Sequence, residues 1–447
     1  MLRHRTRELD GLSPDRRRLS DNRAFAGLPS CCVLPNGRNS LTDDNHMKNT
    51  SADGLRGLAA LSVTITHFIA AFLPSLLFYN YGALFPRPVE PGPLVDVLGS
   101  PALTLFYNGH FPVLIFFVLS GYVLTLPWFE HDNAGPVLQR RLWSRYLRLN
   151  LPIMAAIGLA WLAYSTGLLH TGQAAQLSGS TNWLASFYPA DLTGLDALKE
   201  ALFGSIVLGS ASFLPPLWTL KIEFIGSIYI LLFFLAKPAR HLLLPMALAC
   251  LLLHAIHAEQ SIYYIALFAG AALHRVRLTR AGQFAVFAAG LYFGAYQHFR
   301  TMYGFLPDPQ IWDVKSFYNA IGAVCVCAAV LSGWGQGLLN RPLVQFLGRI
   351  SFSIYLLHFI VLCSLSAAFY ARFPRDALHL GIGFVLYMTA CVGAAWLFER
   401  WVDRPAIALS RRFGSMLCGD EKRNGAQSAP FEEEAAASPV ARARHHS

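Results

Sequence analysis

Apolar stretches long enough to cross a bilayer recur along this chain from Leu55 almost to Trp401. A helix needs roughly 17 to 25 residues to cover about 30 Å of hydrocarbon. The stretches are apolar all round, whereas barrel strands alternate lipid-facing and lumen-facing residues, so helices must satisfy the backbone here. Of the 447 residues 54% are hydrophobic and 14% charged, more apolar surface than a water-soluble core can hide. The expected fold is all-α, a polytopic integral membrane protein with about ten transmembrane helices.

Spans are expected at Leu55–Phe78, Phe111–Phe129, Ile153–Leu169, Leu217–Ala236, Leu242–His257, Ile262–Leu273, Phe284–Tyr296, Phe317–Leu331, Ile350–Tyr370 and Leu378–Phe398. The formal net charge of +10 sits in arginines of the N-terminal tail and of short loops between spans, so membrane orientation explains it without nucleic acid. With an even number of spans the arginine-rich loops, such as Arg140 to Arg148 and Arg275 to Arg280, fall on the side of the tail, which places both termini in the cytoplasm. Residues 1–50 read as a disordered basic tail with no apolar signal core, residues 51–406 as the membrane domain and residues 407–447 as a disordered C-terminal tail. Met47 stands just before the first span and is an alternative start.

Two long outer loops, Asn80 to His110 and His170 to Pro216, are rich in Pro, Gly, Ser and aromatics. Loops of that length are functional or disordered. Within the second, Leu195 to Leu208 has weak helical periodicity. The eight cysteines form no C-x-x-C unit, and neither a disulfide frame nor a metal site is expected.

Ionisable groups inside a span are costly and therefore functional candidates. Arg56 and His67 lie eleven residues apart in the first span. Three helical turns put them on one face about 16 Å apart along the axis. Such a pair suits a cation holding phosphates at the surface and an imidazole base deeper in. Equally, His67 can hydrogen-bond a neighbouring helix while Arg56 snorkels to headgroups, and spacing alone does not choose. In the second span Ser120-Gly121 interrupts bulky residues before Tyr122, which on its own means close helix packing. Arg141, Arg145 and Arg148 follow i, i+4, i+7 spacing and form one basic helical face, suited to a polyphosphate or to lipid headgroups. Lys221 and Glu223, two residues apart near the outer end of the fourth span, each need a partner on another element, and Glu223 suits orienting an acceptor or bracing a catalytic group as well as it suits a structural bridge to another helix. Ser351, Tyr355 and His358 share one face of the ninth span, first as polar contacts between helices and second as a site wall.

Taken in order, these segments resemble the acyltransferase-3 family of integral membrane O-acyltransferases. The similarity rests on Asp53-Gly54-Leu55-Arg56-Gly57-Leu58 with His67, Phe116-Phe117-Val118-Leu119-Ser120-Gly121-Tyr122, the arginine-rich segment, Trp218-Thr219-Leu220 with Glu223, Ser351 to His358, and Asp403-Arg404-Pro405. It covers nearly the whole membrane part. The resemblance implies transfer of an acyl group, commonly acetyl from acetyl-coenzyme A, to a hydroxyl of a carbohydrate or other acceptor. It implies no permanently bound cofactor, a membrane lipid environment and an integral multi-pass location such as a bacterial inner membrane. It matches His67 to the family's essential histidine, Arg56 to its donor-associated arginine, Arg145 and Arg148 to its R-x-x-R segment and Glu223 to its fourth-span glutamate. The expected site therefore has His67 and Glu223 for catalysis and Arg56, Arg145 and Arg148 for the donor phosphates, with Ser120, Tyr122, Trp218 and His358 as further candidates for substrate or donor contacts. The chain departs from the family pattern at Pro112, Leu114, Gly226-Ser227 and Asp403, chiefly on the acceptor side. The competing class is a secondary transporter or carrier in which Arg56, His67 and Glu223 line a pathway.

Overall fold

Each stretch expected to cross the membrane is helical. In the computed structural model, which describes residues 50–85, 93–189, 191–238 and 242–419, the elements are α1 (Thr50–Phe72), α2 (His110–Glu130), α3 (Gly135–Ser165), α4 (Trp218–Leu235), α5 (Leu243–Ile256), α6 (Ser261–Ala272), α7 (Arg280–Gly294), α8 (Val314–Leu331), α9 (Pro342–Val361), α10 (Ala377–Phe398) and α11 (Arg404–Leu417). No strand occurs among the described residues. Seven helical segments there have the length and hydropathy to cross a bilayer, while α5, α6 and α7 have 14, 12 and 15 residues. The chain is a multi-pass membrane protein.

Helix starts follow local chemistry. Asp313 accepts from the Ser316 amide at 2.8 Å to open α8, and Asp376 accepts from the His379 amide at 2.9 Å to open α10. The arginine-rich segment is not a loop: it forms the first turns of the 31-residue α3. At 1.5 Å per residue that helix is about 46 Å long, so part of it stands outside about 30 Å of hydrocarbon.

Lipid tails give helices no hydrophobic reason to associate, so close backbone packing holds the bundle. A methyl group placed on Gly121 would lie 1.8 Å from the Leu267 carbonyl oxygen, and one on Gly270 would lie 1.9 Å from that of Val118. These glycines let α2 and α6 touch main chain to main chain, the role that the Ser120-Gly121 pair implied. On the other flank a methyl on Gly57 would meet the Gly348 nitrogen at 2.5 Å, and one on Gly348 the Asp53 oxygen at 2.2 Å, so α1 and α9 meet in the same way.

The second long loop, expected on the outer side, is structured. Thr171–Ser178 is helical, and Gly194–Lys199 runs on through the wide helical turns of Glu200–Leu208, the stretch with weak periodicity. The buried Glu200 carboxylate then accepts from Ser210 Oγ at 2.8 Å and from the amides of Ser212 and Phe213 at 3.0 and 3.1 Å, folding the chain back toward α4. Ser180 Oγ donates to the Ala70 carbonyl at 2.8 Å and the His170 amide to that of Cys363 at 2.9 Å, which seats residues 170–187 over the far ends of α1 and α9.

The segment from residue 407, expected as a disordered tail, is helical through Leu417. Its buried residues Ala406, Ser410 and Gly414 recur every four positions, and Gly414 packs on Arg140 and Ser144 of α3. A small-residue stripe at that spacing is enough to dock a helix. Met47, the basic N-terminal tail and the chain beyond residue 419 lie outside the described residues.

Substituting Gly121 by Leu forces α2 and α6 apart, an overpacking cost on the order of 1–3 kcal/mol or more. The expected outcome is a lower melting temperature of the detergent-solubilised protein, read by fluorescence-detected size exclusion. Gly381, which faces open space in α10, is the matched control: Gly381→Leu does not lower the melting temperature.

Candidate active site

The α1–α9 contact carries His67 against His358, with His67 Nδ1 and His358 Nε2 2.8 Å apart. On its other side His358 Nδ1 lies 2.9 Å from the Ile354 carbonyl. A carbonyl only accepts, so Nδ1 of His358 carries the hydrogen. Neutral His358 then has a lone pair on Nε2, and His67 Nδ1–H donates to it. The lone pair of His67 therefore sits on Nε2, which has no partner among the described residues. Two protein hydrogen bonds thus fix the tautomer and orientation of the His67 imidazole and leave its Nε2 able to accept a proton. The rings are 4.9 Å apart at 15°, which with the 2.8 Å nitrogen separation is an edge-to-edge hydrogen-bonded pair, not a face stack.

Trp183 of the outer loop lies nearly parallel to His67, centroids 5.6 Å apart at 13°, and Phe359 meets the imidazole edge-on at 5.7 Å. Below His358, Tyr355 shares a 2.6 Å hydrogen bond with Thr219 Oγ1 and donates to the Pro216 carbonyl at 2.7 Å, tying α9 to the start of α4. His358 is thus more than a contact between helices. Trp183 carried no sequence signal beyond its place in a long aromatic loop.

The second cluster lies toward the N-terminal end of α1. Arg145 is paired with Glu223, and Ser120 Oγ donates to the same carboxylate oxygen at 2.5 Å. Arg148 Nη1 meets Asp403 Oδ1 at 2.7 Å. Arg56 Nη2 donates to the Leu119 carbonyl at 3.4 Å, and its Nη1 reaches Asp53 at 3.3 Å. Arg145 is within electrostatic reach of both Arg148 and Arg56, so three guanidinium groups on two helices converge. Arg145 Nε is buried without a partner among the described residues. Arg141, on the same expected basic face, is occupied differently. Proline at 127 removes the amide that would bond the Val123 carbonyl, and Arg141 Nη1 donates to that carbonyl at 2.6 Å and to that of Leu124 at 3.0 Å.

The expected site residues thus fall into separate groups. His67 and His358 are together, and Arg56, Arg145, Arg148, Ser120 and Glu223 are together; no hydrogen bond joins Glu223 to His67 among the described residues. Tyr122 stacks on His274 at 4.0 Å and accepts from its Nε2 through the main-chain carbonyl at 2.9 Å. Burial pushes His274, in the turn after α6, down to about 4, so that ring is a neutral donor. Trp218 is 40% exposed and meets Tyr263 edge-on at 5.5 Å. Lys221 Nζ donates to the Leu208 carbonyl at 3.2 Å, which gives that cation a partner in the folded-back loop. Among the described residues no three His, Cys, Asp or Glu side chains converge as a metal would need.

The bundle thus holds a hydrogen-bonded histidine pair at one level and convergent arginines at another. The profile of the acyltransferase-3 family, described as "Acyltransferase domain", matches residues 49–400, and the chain belongs to that family. Acyltransferase R4 of Phoma sp. is 21% identical over 79% of this chain and 93% of its own length. Acyltransferase clz18 of Cochliobolus lunatus is 24% identical over 79% and 93%, and O-acetyltransferase PaAT-1 of Phomopsis amygdali 25% identical over 83% and 86%. No solved structure matches. The chain is an O-acyltransferase.

His358→Phe keeps the ring volume but removes the acceptor for His67 Nδ1–H. We expect acyl-transfer kcat to fall about 100-fold or more, as when a triad loses its orienting group, with donor KM unchanged in steady-state assays. Glu223→Gln leaves Arg145 buried beside two other arginines. Losing one partner of a buried pair costs about 3–5 kcal/mol, so the yield of folded protein should drop, and Glu223→Gln with Arg145→Gln should restore it in part.

Proposed function

We propose that the chain moves an acyl group, acetyl in the simplest case, from acyl-coenzyme A to an acceptor hydroxyl, with His67 as general base. The observation that carries this reading is the His67–His358–Ile354 relay, which leaves the Nε2 lone pair of His67 free. Support for the donor comes from the arginine cluster, about 16 Å from His67 along α1 by helical rise. The flexible arm between the phosphates and the thioester of coenzyme A can cross such a distance. Arg56, Arg145 and Arg148 hold the phosphates, and the unused Nε–H of Arg145 takes one of their oxygens.

In the step itself the acceptor oxygen attacks the thioester carbonyl as His67 Nε2 takes its proton. The tetrahedral oxyanion collapses, the carbon–sulfur bond breaks, and the proton on His67 passes to the departing thiolate. Glu223 contributes by fixing Arg145 and Ser120. The acceptor, a carbohydrate or another hydroxyl compound, reaches His67 from the side of the outer loops. A bacterial inner membrane was the expected location, whereas the relatives named above are fungal. The reading itself requires only a membrane one face of which meets acyl-coenzyme A.

The test is transfer from labelled acetyl-coenzyme A in membranes. His67→Ala should lower transfer by about 10²–10⁴-fold, and equal transfer by both proteins would sink the base assignment. Arg56→Ala should raise donor KM several-fold with little change in kcat, because Arg56 makes only a long bond to Asp53 and one to a carbonyl. A loss confined to acceptor affinity would contradict its place at the donor.

A further inference from the structure

Aromatic contacts starting at His67 return to it. Trp183 leads to Phe85 at 6.2 Å, and Phe85 to Tyr81 at 6.4 Å. Tyr81 OH accepts from the His110 amide at 3.1 Å, and His110 Nε2 lies 2.8 Å from Tyr263 OH. Tyr263 touches Phe117 at 5.2 Å, the adjacent Phe116 touches Tyr355 at 6.1 Å, and Tyr355 is 6.0 Å from His358, which bonds His67. His67, Tyr81, His110, Phe116 and Trp183 are only half-buried although helices and the outer loop enclose them.

The hydrogen-bonding groups of this circuit are almost all engaged with one another. Tyr81 OH also donates to Asn108 at 3.4 Å, the Tyr263 hydroxyl is used by His110, the Tyr355 hydroxyl by Thr219 and Pro216, and both His358 nitrogens by Ile354 and His67. Lys315 is buried behind Tyr81 and gives its hydrogens to Asn80 Oδ1 at 3.2 Å and the Tyr296 carbonyl at 3.1 Å. Apart from the lone pair on His67 Nε2, the circuit beside His67 offers a guest the indole N–H of Trp183, which has no partner among the described residues; behind Tyr81 the buried Asn80 Nδ2 is likewise without one there. A sugar ring brings several adjacent hydroxyls, each needing partners when stripped of water. An apolar ring scaffold with one hydroxyl needs only what the wall has, and its faces match aromatic rings.

We infer that the acceptor is an apolar, ring-containing small-molecule alcohol, not a free sugar or sugar chain, with its scaffold against Trp183 and its one hydroxyl at His67 Nε2. This rests on the acyl-transfer reading above. It is tested on the full chain in lipid nanodiscs with labelled acetyl-coenzyme A. One acceptor panel holds polycyclic alcohols with a single secondary hydroxyl, and the other holds mono- and disaccharides. The polycyclic alcohols should be preferred by about 100-fold or more in kcat/KM, because an apolar pocket disfavours even one added hydroxyl by about that factor. Trp183→Ala should raise the KM for the preferred alcohol by about tenfold and leave the donor KM alone, with Trp183→Phe close to wild type. Sugars acetylated as well as or better than the alcohols would overturn the acceptor class and leave the acyltransferase reading standing. No labelled product from either panel, with no His67-dependent release of coenzyme A, would overturn the reading and the acceptor class together.

Discussion

The main-chain contact between α1 and α9 is the constraint on which the site depends. Gly57 and Gly348 mark the crossing, and His67 and His358 each lie ten residues beyond their own glycine. Two helices running the same way from a shared contact bring equal counts of residues to the same height, about 15 Å on by helical rise. A 2.8 Å bond between rings tolerates little error in that height. A side chain at either glycine would move the imidazoles apart well before it unfolded the bundle. The conformational freedom of glycine matters little inside these helices; what α1 and α9 require is the absence of a Cβ.

Charge is handled by the same economy of position. Arg145 and Arg148 each have a carboxylate, from α4 and from the turn joining α10 to α11, so they stand in the membrane domain without an isolated charge. Arg56 is held more loosely, and the three cations outnumber the two interhelical carboxylates. Arg145 Nε has no partner among the described residues, so the cluster keeps one donor for a further acceptor. Arg141 shows how a residue with identical spacing can be spent on structure, once Pro127 has left a carbonyl to satisfy.

Much of the fold was legible because hydrophobicity in a membrane protein is nearly the fold itself. The apolar runs gave the helices, and the eleven-residue interval put Arg56 and His67 on one face. The relay was not legible, since nothing in the spacing of α9 says that His358 meets α1; its sequence neighbourhood implied only a polar face. The partnering of Glu223 with Arg145 joins residues 78 positions apart and leaves no local trace. Trp183 comes from a loop without periodicity, so only the folded loop, seated by Ser180 on Ala70, brings it to His67. Helix α11 was missed for a different reason. Its stripe of Ala406, Ser410 and Gly414 at four-residue spacing was visible, but the basic residues between them read as a solvated tail.

The relay from His67 ends on the main-chain oxygen of Ile354. Every residue has that oxygen, so no point substitution at 354 deletes it. Its place is nonetheless fixed, because it serves His358 only while the two stay four residues apart on an unbroken helix. This end of the site therefore depends on length more than on identity: one residue inserted between 354 and 358 would turn His358 by about 100° and break its bond to His67 without altering either side chain.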